Sequence, residues 1–141
     1  MNDIELAVQH ALESKGDLPD ANNAYLAFMK ANFFIPVEKE ATLGDPKVLF
    51  LSTAHQVFLP IFSRREYIDL WAKEIQDNIA ILHLTGVNLL NGVGEEVTLC
   101  FNIGTPLYKE FNSGELARMR SMLIKVGIIE RQSSPDRTSK N

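Results

Sequence analysis

The side chains in this 141-residue chain that could hold a metal or attack a substrate are three histidines, one cysteine and several serines. A metal centre needs several His, Cys, Asp or Glu groups that converge. His10, His55 and His83 fall on an expected helix, turn and strand, and the chain has no His-x-x-x-His or Cys-x-x-Cys. No metal site is expected. Cys100 lies between Leu99 and Phe101 in an apolar, strand-like run, with no neighbouring base or positive charge to form a thiolate. A buried, inert thiol is expected there. No Gly-x-Ser-x-Gly elbow occurs, and Ser63 is expected to cap a helix. Gly92-Val93-Gly94 is followed by Glu95, Glu96 and a strand, whereas a phosphate cradle needs strand, glycine loop and helix N-terminus in that order. The residues therefore predict no catalytic group, no cofactor and no enzyme.

One loop does stand where α/β domains bind things. Asn102-Ile103-Gly104-Thr105-Pro106 follows a strand and precedes a short helix expected over 107–110. Asn102, Gly104 and Tyr108 are the expected contacts with a partner or ligand.

The elements that must position this loop follow from periodicity. Ile4, Val8, Ala11 and Leu12 predict a first helix over 3–14, with Asn2 and Glu5 as a capping box. Tyr25, Phe28 and Met29 predict a second over 20–31. Residues 33–37 read as a strand whose Pro36 suggests an edge or a bulge. A surface loop is expected over 38–47, then a hairpin of strands 48–52 and 56–61 around Thr53-Ala54-His55. Ser63 with Glu66, flanked by Phe62 and Tyr67, predicts a capped helix running to about 76, with Ile68, Trp71 and Ile75 inward. The nearly all-apolar run 79–84 predicts a central strand covered on both faces. A short helix over 85–91, a strand over 97–101 and a helix from the Asn112/Glu115 capping box to Gly127 complete the order. The fold class is α+β, or open α/β, with a central mixed sheet of about five strands flanked by helices.

Composition bounds the rest. With 45% apolar and 23% charged residues, the chain can bury a core, and its length suits one domain over 1–130 with a polar, disordered tail over 131–141. The net charge of −4 offers no field for phosphate backbones, so no nucleic-acid partner is expected, and no apolar run is long enough for a membrane partner. The first residues lack the basic, then apolar order of a signal peptide, and one free cysteine suits a reducing compartment. A cytoplasmic location is expected.

Three segments together resemble the N-terminal domain of the bacterial SseB family, named for enhanced serine sensitivity. They are Tyr25-Leu26 leading to Phe34-Ile35-Pro36-Val37; Leu59-Pro60-Ile61-Phe62-Ser63 before a charged helix with Trp71; and Leu89-Leu90 through Phe101-Asn102-Ile103-Gly104 to Phe111 and Glu115. Ile103 stands where the family has proline. The resemblance implies an accessory or interaction domain without assigned catalytic residues, linked by name to sulfurtransferase enhancement and to secretion. The function expected is thus a non-catalytic module that binds an unknown protein partner, itself or both, through an exposed sheet edge or the Asn102 loop. A small-ligand sensor or modest enzyme, with a pocket between that loop and the Thr85 helix, is a second expectation. An exported effector addressed by residues 132–141 is a third.

Overall fold

Two helices open the chain, each started by its own capping side chain. In α1 (Asp3–Glu13) the Asn2 side chain accepts from the Glu5 N–H at 3.0 Å, and the Glu5 carboxylate accepts from the Asn2 N–H at 2.9 Å. Lys15 and Gly16, both at positive φ, turn the chain out of α1. Asp17 then caps α2 (Leu18–Lys30), which begins earlier than periodicity suggests because Pro19, lacking an N–H, suits a first helical turn. A computed structural model describes residues 1–39, 51–52 and 56–125. Most of the expected 38–47 loop, the turn 53–55 with His55, and the tail 131–141 lie outside the described residues.

Strand β1 (Asn32–Glu38) pairs antiparallel with β4 (Ile79–Thr85) along its whole length. A second sheet has the order β2 (Leu51–Ser52), β3 (Val57–Ile61), β5 (Val97–Phe101) and β6 (Lys109–Phe111). In it β3 and β5 are parallel, whereas β2 with β3 and β5 with β6 are antiparallel. The fold is α+β with a mixed sheet system, and β2 and β3 form the two arms of the expected hairpin.

Prolines divide the two sheets. The N–H and C=O of Phe34 bond to those of Phe62 at 2.8 and 2.9 Å, an isolated antiparallel bridge. Continued by two residues, that register sets Pro36 opposite Pro60, two positions without an N–H to donate. The β1–β3 ladder consequently stops at one bridge. Pro36 costs β1 nothing on its other side, since residues of the Phe34 parity turn their backbone groups away from β4.

The larger core lies on the face of Phe33 and Ile35 and takes in residues from α1, α2, α4 (Gly86–Gly92) and α5 (Ser113–Lys125). Its centre is aromatic: Phe28 packs on Phe33 at 4.7 Å and on Phe111 at 5.1 Å between ring centroids, and Phe101 stands edge-on to Phe33 and Phe111. Phe34 alternates to the opposite face. There Phe62, Ile68 and Ala72 form a smaller core with Trp71, Ile79, Ile81 and Ile103 packed against it.

Several expectations are corrected. The strand over 79–84 is not central: among the described residues β4 pairs with β1 alone, and His83 is exposed. Its apolar residues read as a strand covered on both faces, but none of them is fully buried, and Ala80, His83 and Thr85 are exposed. Residues 109–111 form β6 and not part of a helix, because Lys109 to Phe111 complete a ladder with β5. The helix α3 (Arg65–Trp71) ends early and a 3₁₀ turn (Lys73–Asn78) follows, leaving Ile75 exposed. Ser63 does not cap it; Arg64 occupies that position without a side-chain bond. The reason lies in the polar cluster described below. The Asn112/Glu115 box, by contrast, opens α5 as expected.

The first turn of α4 lies directly on the end of α2. A Cβ added at Gly86 would stand 1.8 Å from the carbonyl oxygen of Phe28. Gly86→Ala must push the two helices apart and is expected to cost about 1–3 kcal/mol or more. The midpoint of urea unfolding checks this, and Gly92→Ala, where a Cβ meets nothing within 4 Å, serves as the mild comparison.

Candidate functional site

Asn102, at the end of β5, occupies the left-handed region at φ 55 and is fully buried. Its side-chain oxygen accepts from the Ser63 N–H at 2.9 Å, and its amide nitrogen donates to the Ser63 hydroxyl, also at 2.9 Å. The Ser63 hydroxyl in turn donates to Glu5 at 2.6 Å. Arg64 grips both oxygens of the same carboxylate, with Nε at 2.8 Å and Nη2 at 3.0 Å. Glu5 is itself fully buried. This connected cluster ties the start of α1, the β3–α3 turn and the end of β5 into one corner.

The electrostatics of Glu5 follow from those contacts. Burial on its own would push its carboxyl upward, but hydrogen bonds from Arg64, Ser63 and the Asn2 N–H outweigh that and hold it at about 2, against an ordinary 4.5. A carboxylate that holds its charge this firmly is a poor base for taking a proton from Ser63. The Ser63 hydroxyl is oriented by its neighbours but not activated.

From this corner the chain runs outward through a closely bonded loop. Thr105 returns its N–H and its hydroxyl to the Asn102 carbonyl at 3.1 and 2.8 Å, and its own hydroxyl accepts from the Leu107 N–H at 3.1 Å. Gly104, at φ 86, makes the turn that few other residues adopt without strain. Ile103 points inward and packs in the smaller core. The turn keeps its shape through these bonds, with no proline at position 103 to stiffen it.

The outer side of the loop forms one wall of an open groove of about 550 Å³. Gly104, Thr105, Pro106 and Leu107 line it, facing Met1, Gln9, Leu12 and Glu13 from the α1 side and Tyr67 and Leu70 from α3. Leu70 is 74% exposed, Met1 63% and Leu12 41%. The three walls of the groove belong to the same three segments that the Glu5 cluster joins.

The three residues expected to make contacts are thus separated by depth. Asn102 is the buried anchor, Gly104 lines the groove, and half-buried Tyr108 lies beyond it, donating to the Glu110 carboxylate and reaching Cys100 Sγ at 3.9 Å. Burial, and then the bond to Glu110, push the Tyr108 phenol far above its ordinary range. Burial likewise pushes the Cys100 thiol up, which disfavours the reactive thiolate. Among the described residues no three His, Cys, Asp or Glu groups gather as metal ligands. The groove wall facing the Asn102 loop comes from α1 and α3, not from the Thr85 helix. Sequence reading missed Glu5 as more than a cap and missed Leu70 altogether. The available signal for Leu70 was its place in α3, off the stripe formed by Ile68 and Trp71.

Residues 7–118 match the domain family described as SseB protein N-terminal domain, and the chain belongs to that family. No curated protein and no solved structure matches it. No described helix is long and apolar enough to cross a membrane.

The low Glu5 value makes the corner sensitive to acid. The unfolded chain takes up the Glu5 proton near 4.5 and the folded one only near 2. The contribution is therefore complete above about pH 5 and disappears as pH falls through 4.5 toward 2. At about 1.4 kcal/mol per pKa step it is worth at most about 3.5 kcal/mol, reduced by solvent reaching the partly exposed Arg64. In Glu5→Gln the urea midpoint is expected to be lower at pH 7 and to change less than the wild type's between pH 5 and pH 2. Equal slopes in the two proteins would refute this account of the cluster.

Proposed function

We propose that this SseB-family domain is a non-catalytic protein-interaction module of the bacterial cytoplasm that docks an apolar segment of a partner in the groove beside the Asn102 loop. The observation that carries this reading is the pairing of exposed apolar side chains, Met1, Leu12 and Leu70, with walls held in place by a buried, fully bonded polar cluster. Exposed apolar side chains gathered around one depression, and not scattered singly, mark a surface suited to contact with another molecule. Among the described residues that line the groove, Glu13 carries the one charged side chain, so the segment it suits carries a basic residue at its edge.

Chemistry in the molecule supports docking over turnover. The Ser63 hydroxyl donates to a carboxylate held near 2, the Cys100 thiol is buried and raised, and His10 and His83 lie apart on α1 and β4. None of these forms the base and nucleophile pair that acyl or group transfer requires. The free thiol fits a reducing compartment.

Selection from a displayed peptide library against the purified domain tests this. Enrichment of short apolar sequences with a flanking Lys or Arg is expected, and binding should fall at least tenfold for Leu70→Asp. That substitution lies on an exposed residue and should leave the thermal midpoint within a few degrees of wild type. Selected peptides that bind Leu70→Asp as tightly as wild type would place docking elsewhere, and saturation by a small metabolite in place of any peptide would favour the sensor reading.

A further inference from the structure

Strand β4 presents an edge that differs in kind from the groove. Which of its backbone groups face outward can be deduced. Phe34 sends both its N–H and its C=O to Phe62, away from β4, so the opposed residues Phe34 and His83 are not bonded to each other. The bonds from Lys39 N–H to the Asn78 carbonyl and from Gly86 N–H to the Ala31 carbonyl, at 3.0 and 2.9 Å, fall at the alternate positions, as that parity requires. Ala80, Leu82 and Leu84 therefore bond to β1. Ile79, Ile81 and His83 direct their donors and acceptors to the open edge, where no described strand meets them.

Natural sheets blunt such an edge with lysine, proline, a bulge or a very short strand. From Ile79 to Thr85 this strand carries no charged residue, no proline and no glycine, and it pairs without a bulge over seven residues. His83, the one titratable group on it, is exposed and stacks flat on Phe34 at 4.6 Å. The chain as a whole carries a net charge of −4, so two copies repel on balance. The uncharged β4 edge is a place where they meet without opposing like charges.

We infer that β4 pairs antiparallel with β4 of a second copy of this chain, about a two-fold axis at Ile81. In that register Ile81 exchanges backbone bonds with Ile81 of the second copy, and Ile79 with its His83, so every outward donor of these three residues finds an acceptor. The side chains agree: exposed Ala80 comes opposite half-buried Leu82 of the second copy, small against large. Two six-strand systems then join through one continuous ribbon, β1–β4–β4–β1. A seven-residue strand buries less than a standard stable interface, so the dimer is weak, with dissociation on the order of micromolar to millimolar. The inference is independent of the groove.

The test separates the two backbone parities. Proline at position 83 removes only an outward N–H and leaves the β1 ladder complete; lysine there places a charge on the edge. Sedimentation of the whole chain over a concentration series, with amide exchange read at single residues, is compared for wild type, His83→Pro and His83→Lys. Wild type is expected to move from monomer to dimer as concentration rises, with the Ile81 and His83 amides slowing at least tenfold while those of Leu82 and Leu84 stay slow throughout. Both variants should remain monomeric, and His83→Lys serves alone if the proline variant does not fold. A wild type that stays monomeric with a fast Ile81 amide would overturn the inference. So would a dimer that persists in His83→Lys, or a monomer whose Ile81 amide is slow at every concentration. None of these outcomes bears on peptide binding in the groove.

Discussion

The corner of the molecule where its candidate site is built depends on one buried charge. A carboxylate taken out of water costs several kcal/mol unless its charge is matched and its lone pairs are occupied. Glu5 meets that condition with bonds from Arg64, Ser63 and the backbone of Asn2. The partners come from segments far apart in sequence, and the condition can be met only if those segments occupy fixed relative positions. Asn102 extends the same logic by binding Ser63 through both of its amide atoms. Burial thus turns one acidic side chain into a constraint on three elements at once.

A second glutamate repeats the arrangement elsewhere. Glu115 closes the capping box of α5, and its other oxygen accepts from the Tyr25 hydroxyl at 2.8 Å, with Lys109 at 3.3 Å. Burial and then the Glu115 bond push the Tyr25 phenol up to about 12, so it remains a donor at every physiological pH. In both cases a helix-starting acid accepts from its own helix start and from a neighbouring element as well. The helices α1 and α5 are locked to their surroundings at the residues that start them, and both contribute side chains to the larger core.

The prolines act in the opposite sense, by removing contacts. Pro36 and Pro60 confine the β1–β3 contact to one bridge, which leaves β1 and β4 as a ribbon of their own. The ribbon ends in an edge rich in β-branched residues, while the polar corner ends in a groove rich in leucine. The proposed docking and the proposed self-pairing are placed on these two surfaces, which lie at different parts of the described molecule.

Much of this was determined by local sequence. The capping pairs Asn2/Glu5 and Asn112/Glu115, the stripe Tyr25, Phe28 and Met29, and the alternation over 97–101 are set by neighbours within one or two turns, so the α+β order could be read directly. Ser63 and Glu66 show where such reading fails: the spacing of a capping box is present, but the Ser63 hydroxyl donates to Glu5, 58 residues away, and its oxygen accepts from the Asn102 amide and not from the helix backbone. Asn102 was legible as special because its loop follows a strand and precedes an expected short helix, yet whether its amide faces water or Ser63 depends on where β3 ends. The edge position of β4 was not legible, because an apolar run does not say how many strands will pair with it. The sequence by itself determined which segments form and where they start; only the tertiary structure decided which polar groups are buried together and which apolar ones are left in water, since both depend on partners that the chain brings together from a distance.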